Sequence, residues 1–250
     1  EFVDIDNDGD LDLFIGNQYD LSENPWVGKI YFFKNLGTNQ DPNYVFEPIV
    51  ILDENTDQML SPEFGDLDGD GDMDLIVGDF NGFIKLYDNI SSKDSIKFIY
   101  LEDIGDIDLS GNSAPTLGDI DLDGDLDMLI GQLNGEILFY RNIGSIEEHN
   151  FQLEDFPEFN ISSNSAPNLM DLDFDGDLDL LIGSGTQGLF VYLNTTNEAW
   201  SFQFYSDLHL PFIGKNTKPI AGSLFDPTII DIVIGISTGG VYHIQASNFK

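Results

Sequence analysis

The sequence predicts an all-β chain built as a β-propeller, with four-stranded antiparallel sheets recurring about every fifty residues. Three observations carry that expectation. An acidic loop, with aspartate at every second position around a glycine, is written four times: Asp4-Ile-Asp6-Asn-Asp8-Gly9-Asp10-Leu-Asp12, then copies starting at Asp66, Asp119 and Asp171. A short apolar run ending in glycine follows each loop, and a fifth run ends the same way. The glycines Gly16, Gly78, Gly131, Gly183 and Gly235 are spaced by 62, 53, 52 and 52 residues. Within a period the order is constant, as in Ala114-Pro115-Thr-Leu-Gly before a loop, Leu126 to Gly131 after it, a Gly-containing turn, Gly135 to Asn142, and later Phe151-Gln-Leu153.

Each period therefore reads as four short strands. Runs such as Asp-Leu-Leu-Ile-Gly are continuously apolar and Ile84-Lys-Leu86-Tyr-Asp alternates, and both patterns favour strand over helix. The third strand carries aromatics in every copy: Tyr31, Phe32 and Phe33; Tyr87; Phe139 and Tyr140; Phe190 and Tyr192; Tyr242. Their expected role is to fill the space between stacked sheets. The blades divide at about 1–58, 59–111, 112–163, 164–216 and 217–250. A calcium solenoid uses much shorter repeats, and an EF-hand loop is flanked by helices rather than strands. Propellers have four to eight blades, so the five visible here can close a ring or belong to a parent of six or seven.

The loops are candidate metal sites. Carboxylates at positions 1, 3, 5 and 9 and a backbone carbonyl at position 7 make the hard oxygen cage that calcium prefers, while magnesium demands tighter octahedral geometry. The candidate ligands are Asp4, Asp6, Asp8, Asp10 and Asp12; Asp66, Asp68, Asp70, Asp72 and Asp74; Asp119, Asp121, Asp123, Asp125 and Asp127; and Asp171, Asp173, Asp175, Asp177 and Asp179. Glycine at position 6 (Gly9, Gly71, Gly124, Gly176) allows a sharp turn at positive φ. The alternative, plain solvated turns, would leave crowded carboxylates repelling one another. Position 12 holds Ile15, Val77, Ile130 and Ile182 instead of a bidentate Glu, which predicts weak to moderate calcium sites, filled where calcium is millimolar outside cells.

Composition narrows the function. The 250 residues, 41% hydrophobic and 12% aromatic, can bury a sizeable core. The net charge is −37, and the four loops hold 20 of the 46 acidic residues. Four bound Ca²⁺ would leave about −29, which argues against nucleic acid and anionic membranes as partners. No apolar run is long enough to span a bilayer and no signal peptide is visible. Because Glu1 directly precedes a loop, the chain reads as a piece of something longer. The absence of cysteine points to a bacterial exoprotein, although Asn89, Asn160 and Asn194 head Asn-x-Ser/Thr sequons.

The loop, preceded by Ala-Pro and followed by an apolar run and Gly, resembles the FG-GAP or VCBS repeat of integrin α-like propellers. Pro62-Glu-Phe64-Gly65-Asp66 is the copy most similar to the family's leader. The resemblance covers nearly the whole chain. It implies a calcium loop between the first and second strands of each blade, held by Asp4, Asp6, Asp8, Asp12 and their equivalents. Asp10, Asp72, Asp125 and Asp177 would then offer a backbone carbonyl. The fifth copy departs: Ser223, Phe225 and Pro227 stand where the first three carboxylates belong, and only Asp231 remains. A metal-free fifth blade is expected.

Antiparallel strands put the acidic loops on one face and the second turns on the other, where related propellers commonly meet ligands. The first blade carries an insertion there, Asn17-Gln-Tyr19-Asp-Leu-Ser-Glu-Asn-Pro-Trp26-Val. Tyr19 and Trp26 suit stacking on a sugar or gripping a peptide, unless the loop packs Trp26 onto its own blade. Asn81, Gln132, Asn134 and Gln187 share that face as turn formers. Catalytic signals are thin: His149, His209 and His243 are scattered, and Gly183-Ser-Gly185-Thr-Gln-Gly188 imitates a dinucleotide fingerprint where a hairpin turn belongs. The expected function is an extracellular, secreted or cell-surface, recognition or adhesion module with four structural Ca²⁺, binding a glycan or protein ligand. The alternatives are the propeller of a secreted polysaccharide lyase or glycoside hydrolase, and a structural spacer.

Overall fold

The structure is a computed structural model that describes residues 1–19, 27–48, 58–91, 95–104, 109–186, 188–195, 201–208, 215–226, 228–237 and 239–246. Five antiparallel sheets follow one another along the chain as blades of a β-propeller. The first is β1 (Phe2–Val3), β2 (Asp12–Gly16), β3 (Ile30–Asn35) and β4 (Tyr44–Glu47). The second is β5 (Ser61–Gly65), β6 (Asp74–Gly78), β7 (Ile84–Asn89) and β8 (Phe98–Asp103). The third is β9 (Ala114–Gly118), β10 (Asp127–Gly131), β11 (Ile137–Asn142) and β12 (Phe151–Glu154). The fourth is β13 (Ala166–Met170), β14 (Asp179–Gly183), β15 (Leu189–Asn194) and β16 (Phe202–Leu208). The fifth has three strands among the described residues, β17 (Lys218–Gly222), β18 (Ile230–Gly235) and β19 (Val241–Ala246). No helix among these residues is long and apolar enough to cross a membrane.

Sequential strands pair throughout, so each sheet is a meander, and in the first four the acidic loop lies between the first two strands. Burial explains the apolar runs. All five residues of β6, β10 and β14 are buried, because these strands lie inside a sheet whose two faces are both covered. The outer strands β4, β8 and β12 are largely exposed.

The chain divides into two compact units, residues 1–115 with 146–148 and residues 116–145 with 149–250. In the first unit Phe14, Phe32, Leu75, Val77 and Tyr87 form one core between the first two sheets, with the Phe14 and Phe32 rings stacked at 4.7 Å. The second unit has two such layers: Leu129, Phe139, Leu180 and Ile182 between the third and fourth sheets, and Leu181, Val191, Ile232 and Ile234 between the fourth and fifth. The third-strand aromatics thus mostly fill between sheets as expected, whereas Tyr242 is exposed.

A recurrent seam joins successive blades. The residue two before the first strand's proline-containing start has positive φ, at Met59 (59°), Asn112 (52°), Asn164 (46°) and Asn216 (53°). That turn lets the next residue reach back. Ser113 N donates to Asp79 O and Ser165 N to Gln132 O, and the hydroxyls of Ser113 and Ser165 donate to Phe83 O at 2.9 Å and Glu136 O at 2.7 Å. Here lies the reason for the glycine that ends the second strand in the first four sheets. A Cβ at Gly16, Gly78, Gly131 or Gly183 would stand 2.1, 2.4, 2.2 or 2.1 Å from the carbonyl oxygen of Leu60, Ser113, Ser165 or Thr217.

Candidate metal centres

The four acidic loops fold alike. The position-1 carboxylate accepts backbone N–H groups from further round its own loop: Asp4 from Asp8 and Gly9 at 3.0 and 2.9 Å, Asp119 from Asp123 and Gly124 at 3.0 and 3.1 Å, and Asp171 from Asp175 and Gly176, both at 3.1 Å. Asp66 does the same from Gly69 and Gly71 at 2.8 and 3.1 Å. Such bonds curl the loop until its carboxylates converge, and they need the positive φ of Gly9 (93°), Gly71 (94°), Gly124 (101°) and Gly176 (98°). Position 4 is also left-handed: Asn7 (57°), Gly69 (75°), Leu122 (61°) and Phe174 (62°). Leu122 and Phe174 are bulky residues in a conformation that side chains of their kind rarely adopt, and both are exposed.

Position 9 anchors the loop to the sheet. Asp127 accepts Asn142 N at 2.8 Å on one oxygen and Ile120 N at 3.1 Å on the other. Asp179 accepts Asn194 N and Leu172 N, both at 2.8 Å, and Asp74 accepts Asn89 N at 3.0 Å and Leu67 N at 3.1 Å. Asp12 accepts Asn35 N at 2.7 Å. Burial outweighs these bonds and lifts the carboxyls of Asp12 and Asp74 to about 6 and those of Asp127 and Asp179 to about 7. Burial, followed by the charge of Asp175, also lifts Asp177 to about 6.

The resulting clusters can hold a cation. Carboxylate oxygens of Asp4, Asp6 and Asp8, of Asp66, Asp68 and Asp70, of Asp119, Asp121 and Asp127, and of Asp171, Asp173 and Asp179 lie within 4.8 Å of one another in each group. Several buried oxygens have no hydrogen-bond donor: Asp6 Oδ1, Asp12 Oδ2, Asp125 Oδ1, Asp173 Oδ1 and both oxygens of Asp177. Buried acceptors without donors are costly. A hard cation would answer them, and the all-oxygen donor set fits one. At position 7 the side chains differ between units. Asp125 and Asp177 are buried, whereas Asp10 accepts Asn39 N at 3.1 Å and Asp72 accepts Asn7 Nδ2 at 3.2 Å.

Sequence reasoning missed the third-strand neighbour of each loop. It stands one residue past the pairs Leu13–Phe33, Leu75–Tyr87, Met128–Tyr140 and Leu180–Tyr192, and is Lys34, Asp88, Arg141 or Leu193. Lys34 Nζ bonds Asp6 Oδ2. The Arg141 guanidinium pairs with Asp121 and lies 3.6 Å from Asp123. Burial, then the charges of Asp68 and Asp70, raise the Asp88 carboxyl. The signal was available, since each precedes the asparagine that caps the next turn. Those asparagines, Asn35, Asn89, Asn142 and Asn194, are buried. Asn89 and Asn194 accept Ser91 N and Ser201 N at 3.0 and 2.9 Å. Two of the three sequons are therefore turn caps, and Asn160 alone of the three is exposed.

The fifth sheet keeps Asp231 fully buried. It accepts Leu224 N at 3.2 Å on one oxygen, while Gln245 Nε2 at 3.0 Å and His243 Nε2 at 2.6 Å meet the other. Pro227 lies outside the described residues.

At the other end of the sheets, Asn17 closes the base of the first-blade insertion, its amide oxygen accepting Lys29 N at 2.7 Å and its amide donating to Tyr31 Oη at 3.3 Å. Tyr19 is half-buried, Asn81 and Asn134 are exposed, and Gln132 is buried. The Asn134 side chain is held by Glu136, donating to Glu136 Oε2 at 2.7 Å. Trp26 and Gln187 lie outside the described residues. The glycines from Gly183 to Gly188 fall between β14 and β15, a hairpin connection with no helix after it.

No curated protein matches the chain. The FG-GAP-like repeat matches it three times, over residues 4–77, 66–130 and 119–182, each match opening on one acidic loop and closing in the second strand of the next sheet. Those matches span well over half of the chain, which therefore belongs to the FG-GAP-like repeat family.

Proposed function

We propose that the protein is an extracellular recognition or adhesion module whose acidic loops bind four structural Ca²⁺ ions. The observation that carries the metal reading is the set of four convergent aspartate clusters, with buried carboxylate oxygens left without donors in the first, third and fourth loops. Asp4, Asp6, Asp8 and Asp12 would hold the first ion, Asp66, Asp68, Asp70 and Asp74 the second, Asp119, Asp121, Asp123 and Asp127 the third, and Asp171, Asp173, Asp175 and Asp179 the fourth. The backbone carbonyls of Asp10, Asp72, Asp125 and Asp177 would complete each set. The ion supplies charge neutralisation and ties the entry of one strand to the next, so its binding adds to folding stability. Oxygen ligands without a bidentate Glu favour calcium at extracellular concentration, and FG-GAP-like repeats are typical of extracellular proteins.

Calcium titration of chelator-stripped protein, followed by melting temperature, tests the metal reading. Saturation at a hundredfold excess over Kd contributes about 2.7 kcal/mol per site, and a melt indifferent to calcium and to excess EDTA sinks it. Recognition is tested on a glycan array run beside lyase and hydrolase assays on the same panel. Binding without turnover, lost on Trp26→Ala, supports a recognition surface around the first-blade insertion. Turnover would replace it with a polysaccharide-degrading enzyme.

A further inference from the structure

We propose that the third-strand residue facing each acidic loop grades the four metal sites into two classes, with blades two and four tight and blades one and three weak. The inference rests on the reading of the loops as calcium sites and adds what distinguishes them. Their aspartates are the same five in every copy, so the loops alone predict near-equal affinities. The neighbour breaks that equality. Lys34 binds the position-3 carboxylate of the first loop, and Arg141 binds the position-3 carboxylate of the third while lying 3.6 Å from the position-5 carboxylate. In the second loop the same strand position carries Asp88, and in the fourth Leu193, which packs against the core of the fourth and fifth sheets.

The neighbour's charge thus runs positive, negative, positive, neutral along the chain. A basic group already seated on a ligand opposes a divalent ion twice. It must release or share its carboxylate, and its fixed charge repels the incoming cation at short range. Asp88 does the reverse by adding another carboxylate to the field of its loop. Lys34 is also well covered, with 22% of its side chain exposed, so solvent screens it less than a free surface lysine. Each compact unit carries one loop with a resident basic group and one without. The same pairing therefore repeats in both units, and occupancy should rise in two steps as calcium increases.

Calorimetric titration of the stripped full chain with calcium alone provides the test. The native protein should show two weak sites and two tighter ones separated by about tenfold or more, the scale expected for one unit charge acting on a divalent ion at contact range, with blade two, beside Asp88, the tightest. Lys34→Met with Arg141→Leu should move the first and third sites into the tighter class beside the fourth, Arg141→Leu copying the residue that blade four already carries. Asp88→Lys should move one site from tight to weak, leaving one tight and three weak. Far-UV circular dichroism in saturating calcium confirms that each variant is folded. Four equivalent sites in the native chain, or a Lys34→Met/Arg141→Leu chain that binds no tighter, overturns the grading while leaving the calcium reading intact. A native chain that binds no calcium overturns both.

Discussion

Asp127 in the third sheet and Asp231 in the fifth occupy the same place at the start of their strands, and both are fully buried. Their oxygens are answered differently. Asp127 is held by two backbone N–H groups, from Asn142 and Ile120, and it belongs to an aspartate cluster of the third loop. Asp231 has one oxygen on the backbone of Leu224 and the other on the side chains of His243 and Gln245. The comparison separates two tasks that the repeated motif merges. Anchoring the loop to the strand end requires one buried carboxylate and donors for both its oxygens, and the fifth sheet does that with its own side chains. Gathering further carboxylates around it makes a cluster that could hold a cation, and among the described residues such clusters lie in the four acidic loops.

Chelation should break this comparison most forcefully. In EDTA, amide hydrogen exchange in residues 4–12, 66–74, 119–127 and 171–179 should accelerate by orders of magnitude while residues 223–226 change little. Equal deprotection of all five segments would remove the distinction between the sheets. Next in size is a substitution that probes the seam. Gly78→Ala places a Cβ 2.4 Å from Ser113 O and should cost about 3 kcal/mol or more in denaturant unfolding, above the usual range for overpacking because the obstacle is backbone. Gly235→Ala meets its nearest atom at 3.9 Å and should stay within about 0.5 kcal/mol.

A smaller effect separates the two aspartates themselves. Asp127→Asn should cost about 1–3 kcal/mol and remove one equivalent of bound calcium. Asp231→Asn should destabilise by a similar amount and leave the calcium stoichiometry unchanged. In chelator the acidic loops should also acquire a pH dependence. Asp12, Asp74, Asp127 and Asp179 have carboxyls raised from 3.8 to about 6 or 7, so between pH 4 and those values the folded chain holds more protons than the unfolded one. That contribution is fully present below pH 4 and is lost as pH rises towards about 7. The stripped protein should therefore melt lower at pH 7.5 than at pH 5, and saturating calcium should flatten or reverse the trend. Finally, Phe174→Asn should relieve the left-handed strain at an exposed position and raise stability by roughly 0.5–1 kcal/mol, detectable as a small increase in melting temperature.

The blades and their loops were legible because their determinants are local. Alternate aspartates, the left-handed glycine and the apolar run after it lie within about a dozen residues of one another, and hairpin pairing then places the strands with little freedom. The third-strand aromatics were legible for the same reason, through the period of the strand. What a side chain meets across the sheet was not. Lys34 and Asp6 are 28 positions apart, and their contact depends on the register of two hairpins.

By itself the sequence determined the sheet order, the four clusters and the exceptional fifth copy, since all of these follow from spacing within one repeat. Tertiary structure alone decided the rest. Four of the five glycines that marked the repeat, Gly16, Gly78, Gly131 and Gly183, proved to be where a carbonyl oxygen ahead of the next sheet's first strand passes too close for a Cβ. The sequon asparagines Asn89 and Asn194 became buried turn caps, and four loops with the same aspartates acquired neighbours of different charge. Those outcomes depend on packing between segments distant in the chain, where one residue's partner is set by geometry that no local pattern encodes.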